Sequence, residues 1–251
     1  MREKTIVMIR FKSRKLTVQE YLDFSKVVLQ TLQPLHPIFE NLCSWGHKAS
    51  HWTFLDKNLT NFDTIVFEHI NDTDYTYINK DENDKKMHLD SYDSTGFLNS
   101  YSNTKKEKEG QVSVDIADGK GEGIGHINIE FPKVGYDEFY TESFCIQLLE
   151  TLIKLTNAEY ANVLTRPLRS NVAQLYGKFW IGWFTYFSNN GVYNHLPKVK
   201  TLQRSIINEG TLFWIDSTQP DNMDAYEIEQ AKEIKKTLET SQLLENHYSF
   251  S

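Results

Sequence analysis

The chain has 251 residues, of which 39% are hydrophobic and 13% aromatic, and its formal net charge at pH 7 is -7. This amount of apolar side chain is enough for a packed core, which excludes a globally disordered protein. The acidic charge opposes contact with a phosphate backbone, so no direct nucleic-acid partner is predicted, whereas encounter with a basic protein is favoured.

The first predicted elements are a strand over residues 5–11, rich in β-branched and apolar residues, and a helix that begins near Thr17. Thr17 and Glu20 have the spacing of a capping box, and apolar residues then recur on one helical face. Residues 42–46 and 62–70 are predicted to form further strands.

Compartment is predicted from the N-terminus and the cysteines. The apolar run from Ile6 to Ile9 is short of the roughly 7–15 residues of a signal-peptide core, and no stretch approaches the roughly 20 apolar residues of a membrane span. Cys43 and Cys145 are predicted to be reduced core thiols, with a disulfide between them as the alternative. These features predict a cytoplasmic protein with no membrane partner.

Residues 71–109 are rich in Asp, Asn, Lys, Ser and Thr, and they are predicted to form a surface excursion with some local structure. Long loops in compact proteins are often functional or mobile, and a plain insertion is the alternative. The excursion carries the acidic residues Asp81, Glu82 and Asp84 and the aromatic residues Tyr75 and Tyr77.

A hairpin is predicted next, from a strand over residues 112–116, glycines at every second position from 119 to 125, and a strand over residues 127–131. A dinucleotide-binding loop needs G-x-G-x-x-G before a helix, and the following strand disfavours that interpretation. Asp137 is predicted to cap a second main helix, and residues 159–165 are predicted to form a strand.

The densest apolar run, residues 179–187, is predicted to be a central strand covered on both sides, because both of its faces are apolar. Residues 211–215 are predicted to form another strand. Asp224 is predicted to cap a last helix that runs to about Glu239.

These elements predict an α+β fold in which antiparallel or mixed β-sheets pack against about three main helices. Residues 5–46 and 125–165 share the order strand, linker, helix, strand, which is compatible with two related halves and equally with coincidence, since that unit is common. A single domain over residues 1–251 is predicted, with residues 1–110 and 111–251 as the candidate halves.

Motifs of catalysis are missing from the sequence, which has no Walker loop, no G-x-S-x-G elbow and no C-x-x-C pair. His47 and His51 have the spacing of two helical zinc ligands, but the glutamate of a metalloprotease is missing and no fourth ligand is evident. No metal, no cofactor and no catalytic residue is therefore predicted, and the chain is expected not to be an enzyme.

Residues 176–238 contain a Gly-Trp-x-x-Tyr strand, then a Gly-Thr strand that leads to Asp216, and an acidic linker into the last helix. In these features they resemble the immunity protein 52 family of bacterial polymorphic-toxin systems. The matching motif residues, interpreted as structural, are Gly182, Trp183, Tyr186, Gly210 and Thr211. Only the order of elements is shared over residues 1–165, and Ser188-Asn189-Asn190 stands where the family has a proline.

The resemblance implies that the chain binds and blocks a toxin made by the same cell, often a nuclease delivered by a contact-dependent apparatus such as type VI secretion. A nuclease presents a basic cleft, which an acidic protein can occupy. The predicted partner-binding residues are Asp81, Glu82 and Asp84 in the excursion, and Asp216, Asp221, Asp224, Tyr226, Glu227 and Glu229 near the last strand and helix.

Three alternatives stay open at this point. The acidic residues are a solvated face without a binding role, the chain is a non-catalytic regulatory or small-ligand-binding module, or it is an enzyme of unrecognised type. The sequence does not indicate an oligomeric state.

Overall fold

The computed structural model describes residues 4–46, 48–71, 87–105, 109–173, 179–198, 201–216, 220 and 222–241. It has two compact units: an N-terminal unit from Phe11 to Pro132, and a C-terminal unit formed by the residues up to Arg10 and from Lys133 onward. Within each unit the β-ladders are antiparallel and helices accompany them, which confirms the α+β fold class. The single domain over residues 1–251 stays a prediction.

The N-terminal unit has the strand order β3-β2-β4-β5-β6. Its strands are β2 (Cys43–Ser44), β3 (Thr53–Phe54), β4 (Phe97–Ser102), β5 (Ser113–Asp118) and β6 (Ile124–Glu130), and its helices are α1 (Val18–Leu32) and α2 (Phe62–Ile70), with 3-10 turns at Gln33–Leu35, Pro37–Glu40 and Ala49–His51. Every second residue of β5 is buried, which is the pattern of a strand with one face against a core.

The predicted capping box at the start of α1 is confirmed. The Thr17 hydroxyl oxygen accepts the main-chain N–H of Glu20 at 3.2 Å, and the Glu20 carboxylate accepts the main-chain N–H of Thr17 at 2.8 Å. The buried face of α1 includes Tyr21, whose hydroxyl donates to the carbonyl oxygen of Ile116 in β5 at 2.8 Å. This bond fixes α1 on the sheet of the N-terminal unit.

The strand predicted over residues 62–70 is wrong, because the structure has the helix α2 there. The buried residues of α2 are Phe62, Ile65, Val66 and His69, and their spacing of three and four is that of one helical face. The β-branched residues of the run favour a strand locally, but burial of this face beside α1 determines the conformation.

Part of the predicted surface excursion is core. The strand β4 pairs with β2 on one side and with β5 on the other, and its residues Phe97 and Tyr101 are buried. Its pairing with β2 joins segments that are far apart in the chain, and the polar composition around it concealed it. Residues 72–86 lie outside the described residues, and a surface excursion there stays a prediction.

The predicted hairpin is confirmed, since β5 and β6 form an antiparallel pair. Gly119, Gly121 and Gly123 in the connection have φ of 104°, 82° and 77°, a left-handed conformation that favours glycine. The glycine pattern therefore reflects a turn.

The C-terminal unit has the strand order β1-β7-β8-β10-β9. Its strands are β1 (Ile6–Lys12, which ends in the N-terminal unit), β7 (Tyr160–Leu164), β8 (Phe184–Phe187), β9 (Leu202–Ile207) and β10 (Gly210–Ile215), and its helices are α3 (Glu142–Thr156), α4 (Arg166–Leu168), α5 (Val192–His195) and α6 (Ala225–Thr240), with a 3-10 turn at Asp137–Tyr140 and a π turn at Arg169–Ala173. All residues of β7 and β8 are buried, so these strands form the core of the unit.

Asp137 does not cap the second main helix, so that prediction is wrong. Asp137 begins the 3-10 turn, which buries Phe139 and Tyr140. The cap of α3 is Thr141, whose backbone is extended and whose hydroxyl oxygen accepts the N–H of Phe144 at 3.3 Å.

The central strand predicted over residues 179–187 is wrong for its first half, because β8 begins only at Phe184. The Tyr160 hydroxyl donates to the carbonyl oxygen of Trp180 at 2.5 Å, and the N–H of Trp183 donates to the carbonyl oxygen of Val163 at 2.8 Å. These bonds from β7 hold the preceding residues in an irregular path.

Across the described ranges, no helix combines the length and the apolar character that crossing a membrane requires.

Candidate partner-binding surface

The helix α6 begins at the predicted cap, Asp224, and a complete capping box forms there. The Asp224 carboxylate accepts the main-chain N–H of Glu227 at 2.9 Å, and the Glu227 carboxylate accepts the main-chain N–H of Asp224 at 2.8 Å. Negative charge at a helix N-terminus is also favoured by the helix dipole. Both carboxylates therefore stabilise the helix, whatever else they contact.

One side of α6 is buried and the other is open. Ile228, Ala231, Ile234 and Leu238 form the buried side. The open side holds a shallow depression of about 380 Å³, and its lining residues are Tyr226, Glu229, Gln230, Lys232, Glu233 and Lys236. We call Tyr226, Glu229, Lys232, Glu233 and Lys236 the α6 surface.

Tyr226 is the most exposed large aromatic residue of the described chain, with 61% of its surface accessible. Exposed tyrosines are frequent anchors in protein interfaces because they combine apolar area with a polar hydroxyl. Glu229 pairs with Lys232 at 2.6 Å on the same face. Two carboxylates and two ammonium groups line the depression, so their formal charges cancel. The excess of negative charge in this region lies at the N-terminus of α6, at Asp224 and Glu227.

A chain of two hydrogen bonds connects the main chain of Asp216 to this helix. It is exposed and follows β10, and its main-chain N–H donates to the carbonyl oxygen of Thr201 at 2.7 Å. The Thr201 hydroxyl in turn donates to the amide oxygen of Gln230 in α6 at 2.7 Å. The structure thus brings Asp216 and the N-terminal half of α6 into one region of the C-terminal unit.

The remaining predicted partner-binding residues cannot be placed in this region. Asp81, Glu82, Asp84 and Asp221, as well as Tyr75 and Tyr77, lie outside the described residues.

Lys235 lies on the buried side of α6, with only 2% of its side chain exposed. Its ammonium group donates to the carbonyl oxygen of Val172 at 3.4 Å and lies 3.8 Å from the Glu239 carboxylate. Burial lowers the pKa of Lys235, while the Glu239 charge partly offsets the effect. In the sequence, Lys235 has the helical spacing of Ile228, Ala231 and Leu238, which is the signal that could have placed it on the buried side.

The two motif glycines lie where neighbouring residues approach the backbone closely. A Cβ atom at Gly182 would be 2.5 Å from the carbonyl oxygen of Val163, and one at Gly210 would be 2.5 Å from the Tyr186 hydroxyl. Neither position accommodates a side chain, so close approach of neighbouring strands accounts for both glycines.

The other motif residues make buried contacts along β8 and β10. Tyr186 is fully buried, and the hydroxyl of Thr211 donates to the carbonyl oxygen of Asn189 at 3.0 Å. Asn189 belongs to the exit from β8, and this hydrogen bond holds the exit in place.

Sequence reasoning missed a buried polar group on β7. The hydroxyl of Tyr160, besides its bond to Trp180, accepts the side-chain N–H of Asn162 at 2.6 Å. Both side chains are buried. The only local signal is their separation by two residues, which places them on one face of a strand.

The N-terminal unit contains a second pair that the sequence did not reveal. The Ser44 hydroxyl and Nδ1 of His69 are 2.8 Å apart, and Nε2 of His69 lies 3.1 Å from the carbonyl oxygen of His51. Ser44 is fully buried and His69 is 6% exposed, so a substrate has no access to this serine. The pair ties β2 to α2.

Across the described residues, no three His, Cys, Asp or Glu side chains are grouped so that they could hold a metal ion. His47, considered above as a ligand with His51, lies outside those residues. Cys43 and Cys145 are free and buried, and burial raises the pKa of both thiols.

Comparisons with known proteins give a likeness of fold. No protein-family model matches the chain, and no curated protein matches it. Among solved structures, the chain is similar to the Pseudomonas aeruginosa T6SS protein PA0821, with a TM-score of 0.52 and 11% sequence identity. The alignment covers 94% of this chain and 73% of that chain. Membership of the immunity protein 52 family stays a prediction.

Proposed function

We propose that this chain is a cytoplasmic immunity protein that binds and neutralises a toxin of a type VI secretion system, without catalysis of its own. The observation that carries the proposal is the α6 surface. There the exposed Tyr226 lines the depression together with Glu229 and Glu233, near the N-terminus of α6, where most of the local negative charge lies. An aromatic anchor with a charged surround is a common composition of a protein-binding site.

Two likenesses support the connection to toxin systems. Residues 176–238 resemble the immunity protein 52 family, and the fold is similar to that of a protein described as belonging to a type VI secretion system. A basic toxin domain, such as a nuclease, fits the net charge of -7, because opposite charges accelerate encounter.

The first experiment is co-expression with the product of the adjacent gene, with cell survival and co-purification as the readouts. Under the proposal the neighbour alone kills the cells, and this chain both rescues them and co-purifies with the neighbour. A harmless neighbour, or a toxic one that is neither bound nor neutralised, would overturn the proposal.

The second experiment locates the interface on α6. Tyr226→Ala is expected to weaken binding by at least about 2 kcal/mol, or roughly 30-fold, as removal of an aromatic anchor does. The double variant Glu229→Gln/Glu233→Gln is expected to slow association and to reduce its dependence on salt. Reversal of Asp224 is a poor test, because it would also remove the helix cap.

A matched control is available on the same helical face. Lys232→Gln/Lys236→Gln also removes two charges from the α6 surface, but of the opposite sign. It is expected to speed association with a basic toxin. If the two double variants change the association rate in the same direction, the charge of the α6 surface does not steer the partner.

A further inference from the structure

The strand β9 is the last strand in the order of the C-terminal unit, and it pairs with β10 on one side. Asn208 and Glu209 connect the two strands, and their φ angles of 47° and 64° are those of a type I′ turn. The pair Ile207 and Gly210 closes this two-residue hairpin.

The register determines which main-chain groups of β9 point away from β10. The closing pair of such a hairpin exchanges both hydrogen bonds, and bonded residues then alternate along the strand. Gln203, Ser205 and Ile207 therefore bond to β10, whereas Leu202, Arg204 and Ile206 direct their N–H and C=O groups outward. The bond from the N–H of Asp216 to the carbonyl oxygen of Thr201 follows the same alternation.

Among the residues that the structure describes, no main-chain group pairs with the outward groups of β9. The strand also lacks the usual protections of an exposed edge. It contains no proline, and its pairing with β10 runs from Leu202 to Ile207 without a bulge. Ile206 leaves 52% of its surface exposed on this edge.

The charged side chain of β9 does not shield the edge either. One guanidinium nitrogen of Arg204 donates to the carbonyl oxygen of Tyr193 at 2.9 Å, and the guanidinium carbon lies 5.0 Å from the centre of the Tyr193 ring. The side chain is thus drawn toward α5. An unprotected edge with unpaired main-chain groups is a template for an added strand.

We infer that β9 is the edge on which an extended segment of the toxin docks and adds a strand to the sheet of the C-terminal unit. This inference rests on the proposed function. Outward N–H and C=O groups at alternate residues match only another extended backbone, which defines the chemistry of the occupant. A segment with an acidic residue opposite Arg204 and an apolar residue opposite Ile206 pairs best.

Charge favours a different protein over a second copy of this chain. If two β9 edges paired symmetrically over most of their length, the two Arg204 side chains would be directly opposite or diagonal neighbours, within about 8 Å on one face. Like charges in these positions are destabilising. The position of β9 also suits the proposed interface, because Thr201, which precedes it, is bonded to Gln230 of α6.

Amide hydrogen exchange on the unmodified chain, with and without the product of the adjacent gene, tests the inference directly. In the complex, the amides of Leu202, Arg204 and Ile206 are expected to exchange at least about ten-fold more slowly than in the free chain. Those of Gln203 and Ser205, which already bond to β10, serve as the internal control and are protected in both states. Unchanged exchange at the outward amides of a complex that forms would overturn the inference.

Variants separate the backbone from the side chain. Ile206→Pro removes an outward donor without removing a bond to β10, and proline is tolerated on an edge of this kind. It is expected to weaken binding at least about ten-fold, whereas Ile206→Thr, which keeps the donor, weakens binding less. Arg204→Glu keeps the backbone and is expected to weaken binding of an acidic segment, which provides a second test if Ile206→Pro does not fold.

The outcomes also separate this inference from the proposed function. If Ile206→Pro and Arg204→Glu bind like the unmodified chain while Tyr226→Ala binds weakly, the docking edge is wrong and the proposed function stands. If the unmodified chain does not bind the neighbour, both are wrong. If light scattering shows a dimer that Ile206→Pro converts to a monomer, the edge pairs with a second copy and the inference is overturned.

Discussion

The buried indole of Trp183 donates a hydrogen bond from Nε1 to the carbonyl oxygen of Ile215 at 3.0 Å. The N–H of Ile215 donates in return to the carbonyl oxygen of Trp183, also at 3.0 Å. The last ladder pair of β8 and β10 is Phe184 with Trp214, so the main-chain bond continues the pairing one step beyond the strand and the indole bond reinforces it. Trp183 therefore joins the irregular segment before β8 to the end of β10.

Replacement of this tryptophan is expected to destabilise the protein. Trp183→Phe keeps an aromatic ring but removes the N–H donor, which leaves the carbonyl oxygen of Ile215 with one buried bond fewer. The free energy of unfolding is expected to fall by about 1–3 kcal/mol, measured by urea denaturation with an unchanged slope.

The control for this measurement is Trp180→Phe, which lies in the same segment and is 38% exposed. Its main-chain carbonyl keeps the bond from Tyr160, so a change within about 0.5 kcal/mol is expected. Equal losses in the two variants would show that ring size, and not the hydrogen bond to Ile215, determines the effect.

The turn between β9 and β10 offers a stabilising substitution. Glu209 has a φ of 64°, a left-handed conformation that is unfavourable for a residue with a Cβ atom and favourable for glycine. Glu209→Gly creates the Asn-Gly sequence typical of type I′ turns and is expected to raise the free energy of unfolding by roughly 0.5–1 kcal/mol. Glu209→Ala removes the same carboxylate but keeps the Cβ atom, so no comparable gain is expected in thermal denaturation.

The buried ammonium of Lys235 predicts a pH dependence of stability. Because burial lowers the pKa of Lys235 below its usual value of 10.5, the unfolded chain binds the proton more tightly than the folded one. The stability of the unmodified chain relative to Lys235→Met is therefore expected to rise with pH from the lowered pKa up to about 10.5. Below that window the difference is constant and favours the methionine variant.

At neutral pH, Lys235→Met is expected to raise the free energy of unfolding by roughly 1 kcal/mol, because it keeps the apolar stem and removes a charge that burial disfavours. Lys236→Met, on the open side of the same helix, is the control and is expected to change stability by less than about 0.5 kcal/mol. A lower stability of Lys235→Met, independent of pH, would show that the contacts of the ammonium outweigh the cost of its burial.

Most features that depend on neighbouring residues were predictable, although the cap of α3 is Thr141 and not the predicted Asp137. The capping box of Thr17 with Glu20 and the cap at Asp224 were recognised because their partners are three residues apart. The hairpin of β5 and β6 was recognised from alternation and from glycines in its turn. Tyr226 and Glu229 of the α6 surface were named from the sequence as partner-binding residues, and that role stays a prediction.

Features that depend on distant residues were not predictable. The run of residues 62–70 is compatible with either a strand or a helix, and packing beside α1 selects the helix. The run of residues 179–187 is apolar throughout, and only the hydrogen bonds from Tyr160 and to Val163 divide it into an irregular part and β8.

By itself, then, the sequence determined the fold class, the caps at Thr17 and Asp224, the glycine turn and the acidic start of the last helix, because these follow from interactions within a few residues. Only the tertiary structure decided that β4 is internal, that Lys235 lies on the buried side of α6, and that β9 is the edge of its sheet. Strand order and burial are set by which distant segments exclude water from one another, and the pattern of a single segment does not contain that information.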